Sequence, residues 1–334
     1  MNYFIMIERL RSMDRSAVIK LTLSVFLSIA LTVSLFYLTL ELPHLLDKYL
    51  HKYFPDLFWE PELRKILLNS VRPLGYTMLI IIIILIIIGY IFDRGIISVA
   101  GSIALYIPTF GYFAFAMFFL AGIGILRVIW LPFIEYSPKV LELGNVVIMP
   151  YIILRKYCYW RISYGISTST AIIFIFLGLF IFSMGVTTWL YGKFKGCKII
   201  DFWIYRYIRH PQYLGYILWS YGLLVLIYFM PHVRGAFITL PSYPWLISAL
   251  TIIGVALYEE EKMRRVYGEE YIIYSRKTSF MLPLPRRIAE LLKMPLCFFD
   301  EKHDIKVRIV IVLVFYLIIL TIISYVINIL LPPY

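Results

Sequence analysis

The sequence predicts an all-α fold, a polytopic integral membrane helical bundle of about seven transmembrane helices, on three observations. Of 334 residues, 61% are hydrophobic and only 16% are charged, against roughly 25% charged in soluble domains. The mean hydropathy is +0.83. The apolar residues gather in runs near the roughly 20 residues that carry a helix across a bilayer.

The first run, Ala17 to Leu40, follows Arg9, Arg11 and Arg15 as a signal peptide would. It exceeds the roughly 7–15 apolar residues of a cleaved leader, and no small-x-small site follows, so it is expected to be an uncleaved first span. Leu74 to Phe92 is the second, and its isoleucine stretch from Leu79 to Ile88 reads as lipid-facing or scaffold. Gly95 to Trp130 suits one tilted helix or a tight hairpin, with Pro108 and Gly111 at the bend. Thr168 to Leu190, Tyr213 to Phe229 and Phe237 to Leu257 follow, and Val307 to Leu330 closes the series. The chain divides into an N-terminal membrane region without an assigned role (1–168), a core carrying the chemistry (169–285), and a linker with the last span (286–334).

The formal net charge of +12 invites nucleic acid as a partner, but the Lys and Arg residues are spread among loops. Such loop charge orients membrane proteins and meets anionic headgroups, so the expected partner is the lipid bilayer and not nucleic acid. Cys158, Cys197 and Cys297 are far apart, and His44, His51, His210, His232 and His303 lack ligand spacing. No redox pair, disulfide framework or metal site is expected.

Loop charge also bears on orientation. The Pro132 to Tyr164 connection is basic, yet Lys193, Lys195, Lys198, Arg206 and Arg209 precede the Tyr213 span, and the charged stretch Glu259 to Asp304 follows the next. The short Met230 to Ala236 turn puts both polar segments on one face, which the Lys and Arg count makes cytoplasmic.

Two motifs meet on that face. In YRYIRHPQYLGY, Tyr205 to Tyr216, Pro211 suits the first turn of a helix. The free N–H groups there, with Arg209 and His210, make a place for an anion. Gly215 and Gly222 share one face and admit either a ligand or a neighbouring helix. In LYEEEKMRRVYGEEYIIYSRKTSFMLP, Leu257 to Pro283, three carboxylates oppose the helix dipole. Glu260 can pair with Arg264 and Glu261 with Arg265 at i,i+4, which leaves Glu259 poorly compensated. A zwitterionic ligand would use both poles, and S-adenosylmethionine is one such molecule.

Together, RHPQYLG and the EE…YGEEYIIYSRKTSFMLP segment resemble the paired signature of the membrane methyltransferase superfamily, which includes isoprenylcysteine carboxyl methyltransferases and phospholipid methyltransferases. The resemblance covers roughly Leu177 to Pro283. It implies a multi-span enzyme that binds S-adenosylmethionine and takes a lipophilic, lipid or lipid-anchored substrate from the bilayer. By motif position, Arg209, His210, Tyr213 and Gly215 belong to the cofactor pocket. Glu259 and Glu260 hold the methionine moiety, with Glu261 leaving the choice of pair open, and Tyr271, Tyr274 and Arg276 complete the mouth. The interval between motifs is nearer that of the carboxyl-methylating type.

A carboxylate acceptor would need only a cation such as Arg209 or Arg276 to hold it in line. An amine would first lose a proton to His210 or a glutamate. Two other readings stay open. Sterol-type reductases using NADPH resemble this chain at the arginine-histidine-proline helix start, although they carry a Trp-containing pattern where this chain has none between Val266 and Pro283. A non-catalytic scaffold or transporter would use the same charges to orient helices.

Overall fold

The computed structural model describes residues 15–114, 118–230, 237, 239–282 and 305–332. Arg9, Arg11, the 231–236 turn, Pro283 and the 283–304 linker, with Cys297, His232 and His303, lie outside the described residues. The helices are α1 (Arg15–Leu50), α2 (Pro61–Ile91), α3 (Gly95–Tyr106), α4 (Leu131–Tyr136), α5 (Met149–Tyr157), α6 (Trp160–Lys195), α7 (Pro211–Phe229), α8 (Ser242–Lys277) and α9 (Ile305–Leu330). Prolines stand in the first turn of α2 and α7, where a missing N–H costs nothing. Among the described residues there is no strand, so the all-α expectation holds.

Six of these segments are long and apolar enough to cross a membrane: α1, α2, Gly95–Tyr112, α6, α7 and α9. The seventh expected span, Phe237 to Leu257, coincides over 242–257 with the first half of α8, where Ser242, Tyr243, Ser248 and Thr251 dilute the apolar residues. The segment Gly95 to Trp130 is not one helix. It passes from α3 into a 3-10 turn, Ile107–Tyr112, that contains Pro108 and Gly111, and a second 3-10 stretch, Gly122–Trp130, packs back against it. The isoleucine run of α2 divides between core and surface: Leu79 and Ile82 are buried, while Ile80, Ile81, Ile83, Ile84 and Ile87 are exposed.

The tightest contact is between α6 and α7. A Cβ on Gly178 would lie 2.4 Å from the Trp219 nitrogen, and one on Gly215 would lie 2.6 Å from that of Phe182. Only glycine lets the two backbones approach so closely, and in a bilayer such packing replaces the missing hydrophobic drive. Gly185 meets Gln212 and Gly222 meets Ala171, so the pair is antiparallel. On the outer side, Ser28 of α1 donates to the Ser183 carbonyl of α6 at 2.6 Å.

Cross-contacts set the level of the other helices. Tyr90 of α2 donates to the Thr251 carbonyl of α8 at 2.9 Å, and Lys306 of α9 pairs with Asp93 beyond α2. At the other end, Asn145 donates to Asn328 of α9 at 2.8 Å. One end of the bundle therefore carries residues 93, 196–210, 258–282 and 306, and the opposite end carries 112–114, 118–157, 239–242 and 328.

Candidate functional site

The two motifs are sewn together along their backbones. The Arg209 N–H donates to the Ser279 carbonyl at 2.9 Å, and the Ser279 N–H to the Tyr207 carbonyl at 3.2 Å, around a parallel bridge between Ile208 and Ser279. The Tyr274 hydroxyl donates to the Tyr205 carbonyl at 2.7 Å. This is possible because α8 turns at Gly268, whose φ of 54° and ψ of −129° break the helix. A side chain would make that conformation costly, and glycine adopts it freely. The arm beyond it folds back over residues 205–210.

Arg209 closes this arrangement from inside. It is buried, and its Nε and Nη2 hold Glu260 in a two-pronged pair, the latter at 3.1 Å. Its Nη1 donates to the carbonyls of Ser275 and Thr278, which would otherwise be open acceptors at the C-terminal end of α8. The forked guanidinium suits this task, and a lysine could not span it. Arg264 reaches Glu260 only at 4.0 Å, while Arg265 and Glu261 pair at 3.1 Å. The expected Glu260–Arg264 pair is therefore secondary to a partner 51 positions away. Burial pushes the Glu260 carboxyl up, but the adjacent His210 imidazole and Arg209 guanidinium outweigh it and hold the carboxyl below its usual range.

Glu259 has a different setting. Its side chain is 42% exposed, and it accepts a hydrogen bond from the Tyr213 hydroxyl at 2.8 Å. His210 stands between the two glutamates, with Nδ1 3.9 Å from Glu259 Oε2 and Nε2 3.3 Å from Glu260 Oε1. The latter contact is off the line of a hydrogen bond, and Nε2 is buried without a hydrogen-bond partner. The imidazole stacks on Tyr213 and meets Phe280 edge-on. Tyr271 is buried against Tyr274, with ring centres 5.7 Å apart. Burial raises the phenols of Tyr205, Tyr271 and Tyr274 well above their ordinary values, so they remain neutral.

Arg209, His210, Tyr213, Glu259, Glu260, Tyr271 and Tyr274 are thus brought together. Gly215 is not, because it faces α6 on the far side of α7. Arg276 is exposed in the last turn of α8. Sequence reasoning passed over Gly268, Thr278 and Ser279. A lone glycine inside a charged helical stretch was the available signal for the first. Among the described residues, no cluster of His, Cys, Asp and Glu could hold a metal ion.

The phospholipid methyltransferase family model matches residues 160–270, from the start of α6 to just past Gly268. No curated protein and no solved structure matches the chain.

Proposed function

We propose that this protein transfers a methyl group from S-adenosylmethionine to an amine on a membrane lipid, a reading supported by the match of the phospholipid methyltransferase family model to residues 160–270. The observation that carries the choice of an amine is the commitment of Arg209. Its Nε and both Nη atoms are engaged by Glu260 and two backbone carbonyls. It has no fork to offer a carboxylate acceptor, while Glu259 remains accessible to a cation.

The donor's charge fits the residues present. A half-exposed carboxylate aimed by Tyr213 and bordered by neutral tyrosine rings suits an ammonium or a sulfonium. Glu259 would hold the cationic groups, and the start of α7 with His210 would meet the carboxylate. Glu260 acts through Arg209 by fixing the arm that carries Tyr271 and Tyr274. When bound, S-adenosylmethionine supplies a methyl carbon activated by its sulfonium. Glu259 and His210 would hold the amine beside that carbon, and the methyl group would pass to the nitrogen as the sulfur leaves with the electrons of its bond. The amine proton passes to His210 or Glu259, which lie in contact with each other.

A lipid acceptor explains a site at the end of a membrane bundle, since each buried CH2 is worth about 0.8 kcal/mol to the bilayer. The basic residues Lys193, Lys195, Lys198 and Arg206 around the site support a cytoplasmic orientation. A carboxylate acceptor is the second reading, favoured by the long interval between the motifs. The test is to supply the purified protein, in lipid nanodiscs, with methyl-labelled S-adenosylmethionine and either phosphatidylethanolamine or an isoprenoid acid. Label in phosphatidylethanolamine is expected. Label only in a base-labile ester of the acid would replace the amine reading, and label in neither would remove both.

A further inference from the structure

Below Glu259 a seam runs into the membrane between α7 and α8, with α3 wedged into it. Tyr213, Tyr216 and Ser220 share the face of α7 turned away from its glycine contact with α6. From α3, Tyr106 donates to the Ser220 carbonyl at 3.3 Å, and from α8, Trp245 donates to the Ser220 hydroxyl at 3.0 Å. Tyr216 neighbours Tyr106, and its ring meets Trp219 at 5.5 Å.

Each of the three elements brings to this region a buried hydroxyl oxygen without a hydrogen-bond partner: Tyr216 on α7, Thr109 just beyond α3, and Ser248 on α8. Thr109 stands beside the Tyr106 hydroxyl without acceptable hydrogen-bond geometry. Ser248 is eleven residues before Glu259, three helical turns deeper on the same face. Two further such hydroxyls, Ser167 and Thr321, sit on α6 and α9. A buried hydroxyl left unpaired is costly, and the hydrocarbon around the bundle holds no bulk water to satisfy it.

Hydroxyls can donate to groups that have only lone pairs. Tyr216 is one turn, about 4.5 Å along the axis, below Tyr213, whose own hydroxyl holds Glu259. A lipid whose amine reaches Glu259 carries its ester carbonyls deeper along the same seam. Resting on the lipid-amine reading above, we propose that the seam between α7, α8 and α3 is the subsite for the ester region of the acceptor. The hydroxyls of Tyr216 and Thr109 donate to its carbonyl oxygens, and this sets a preference for ester-linked over ether-linked lipids.

Binding tests this without requiring turnover. Full-length protein in detergent is titrated with a short-chain diester phosphoethanolamine and with its diether analogue. The wild type is expected to favour the diester by about tenfold, the value of one good hydrogen bond. In Tyr216→Phe, and separately in Thr109→Val, the ratio falls toward one while diether affinity and melting temperature stay as in the wild type. No preference in the wild type, or one unchanged in both variants, overturns the inference. Methyl transfer measured in parallel separates it from the reading beneath. Transfer without ester preference removes the subsite and leaves the methyltransferase. Ester preference without transfer to any amine lipid keeps a lipid site and removes the methyltransferase reading.

Discussion

Glu260 and Glu142 are buried to nearly the same degree, 5% and 7% exposed, at opposite ends of one bundle, and their carboxyls move in opposite directions. Glu260 is held below its ordinary value by His210 and Arg209 despite the cost of burial. Glu142 is pushed by burial up to about 7, which the charge of Lys139 and a backbone N–H of Leu240 only partly offset. Partners, and not depth, decide the state of each. Around Glu142 the chain closes on itself: Asn328 donates to its carbonyl at 3.1 Å, Ser242 to Asn145 at 2.7 Å, and the Val146 N–H to Ser324 at 3.0 Å. Around Glu260 an equally firm pair leaves the neighbouring Glu259 accessible. The first arrangement fastens α9 to the N-terminal half, and the second fastens the arm of α8 while leaving a carboxylate open beside it.

The comparison breaks most severely at Arg209. Arg209→Ala strands a buried carboxylate and two helix-end carbonyls, and should cost about 3–5 kcal/mol, read as a fall in melting temperature. Arg209→Lys should recover only part, because one ammonium cannot reproduce the fork. Gly268→Ala comes next. Its conformation is strained for any side chain although the space around it is open, so a loss of about 1–3 kcal/mol is expected. Proteolysis should then cut the arm faster.

The two glutamates give stability opposite slopes in pH. For Glu142, the folded value near 7 exceeds the unfolded one, so the folded state binds more protons between the two. Stability should fall as pH rises from about 4.5 to about 7. Glu142→Gln should flatten that slope in chemical denaturation. For Glu260 the folded value is depressed, so its contribution is present above the ordinary carboxyl range and lost as pH falls through and below it. Glu260→Gln should remove that acid limb. The smallest effect is expected from Asn328→Leu. Interhelical hydrogen bonds in a bilayer average about 0.6 kcal/mol, and cofactor binding at the far end should not change.

Much of this was legible in the chain itself. Apolar runs located the spans, and the pairing of RHPQYLG with the Glu259 segment followed from a short connection between two spans. The poor compensation of Glu259 also stood out, because helical spacing offers it no arginine. The partner of Glu260 was hidden for the same reason. Helical spacing points to Arg264, and only the turn at Gly268 places the arm so that Arg209 can reach both Glu260 and the carbonyls beyond it. Gly215 admitted a ligand or a helix, and Gly178 on α6, unremarked in the sequence, decides for the helix. Pro108 and Gly111 marked the bend after α3 as one of two readings, and the choice between a bend and a single tilted helix rests on the packing of Gly122–Trp130 against α1 and α2.

The central claim is a division of labour between adjacent carboxylates, with Glu259 holding the ligand and Glu260 holding the protein. Calorimetric titration of S-adenosylmethionine into the wild type, Glu259→Gln and Glu260→Gln, with melting temperatures alongside, tests it most directly. The account predicts that Glu259→Gln loses at least about tenfold in affinity at an unchanged melting temperature, whereas Glu260→Gln melts earlier. Wild-type affinity in Glu259→Gln would contradict it.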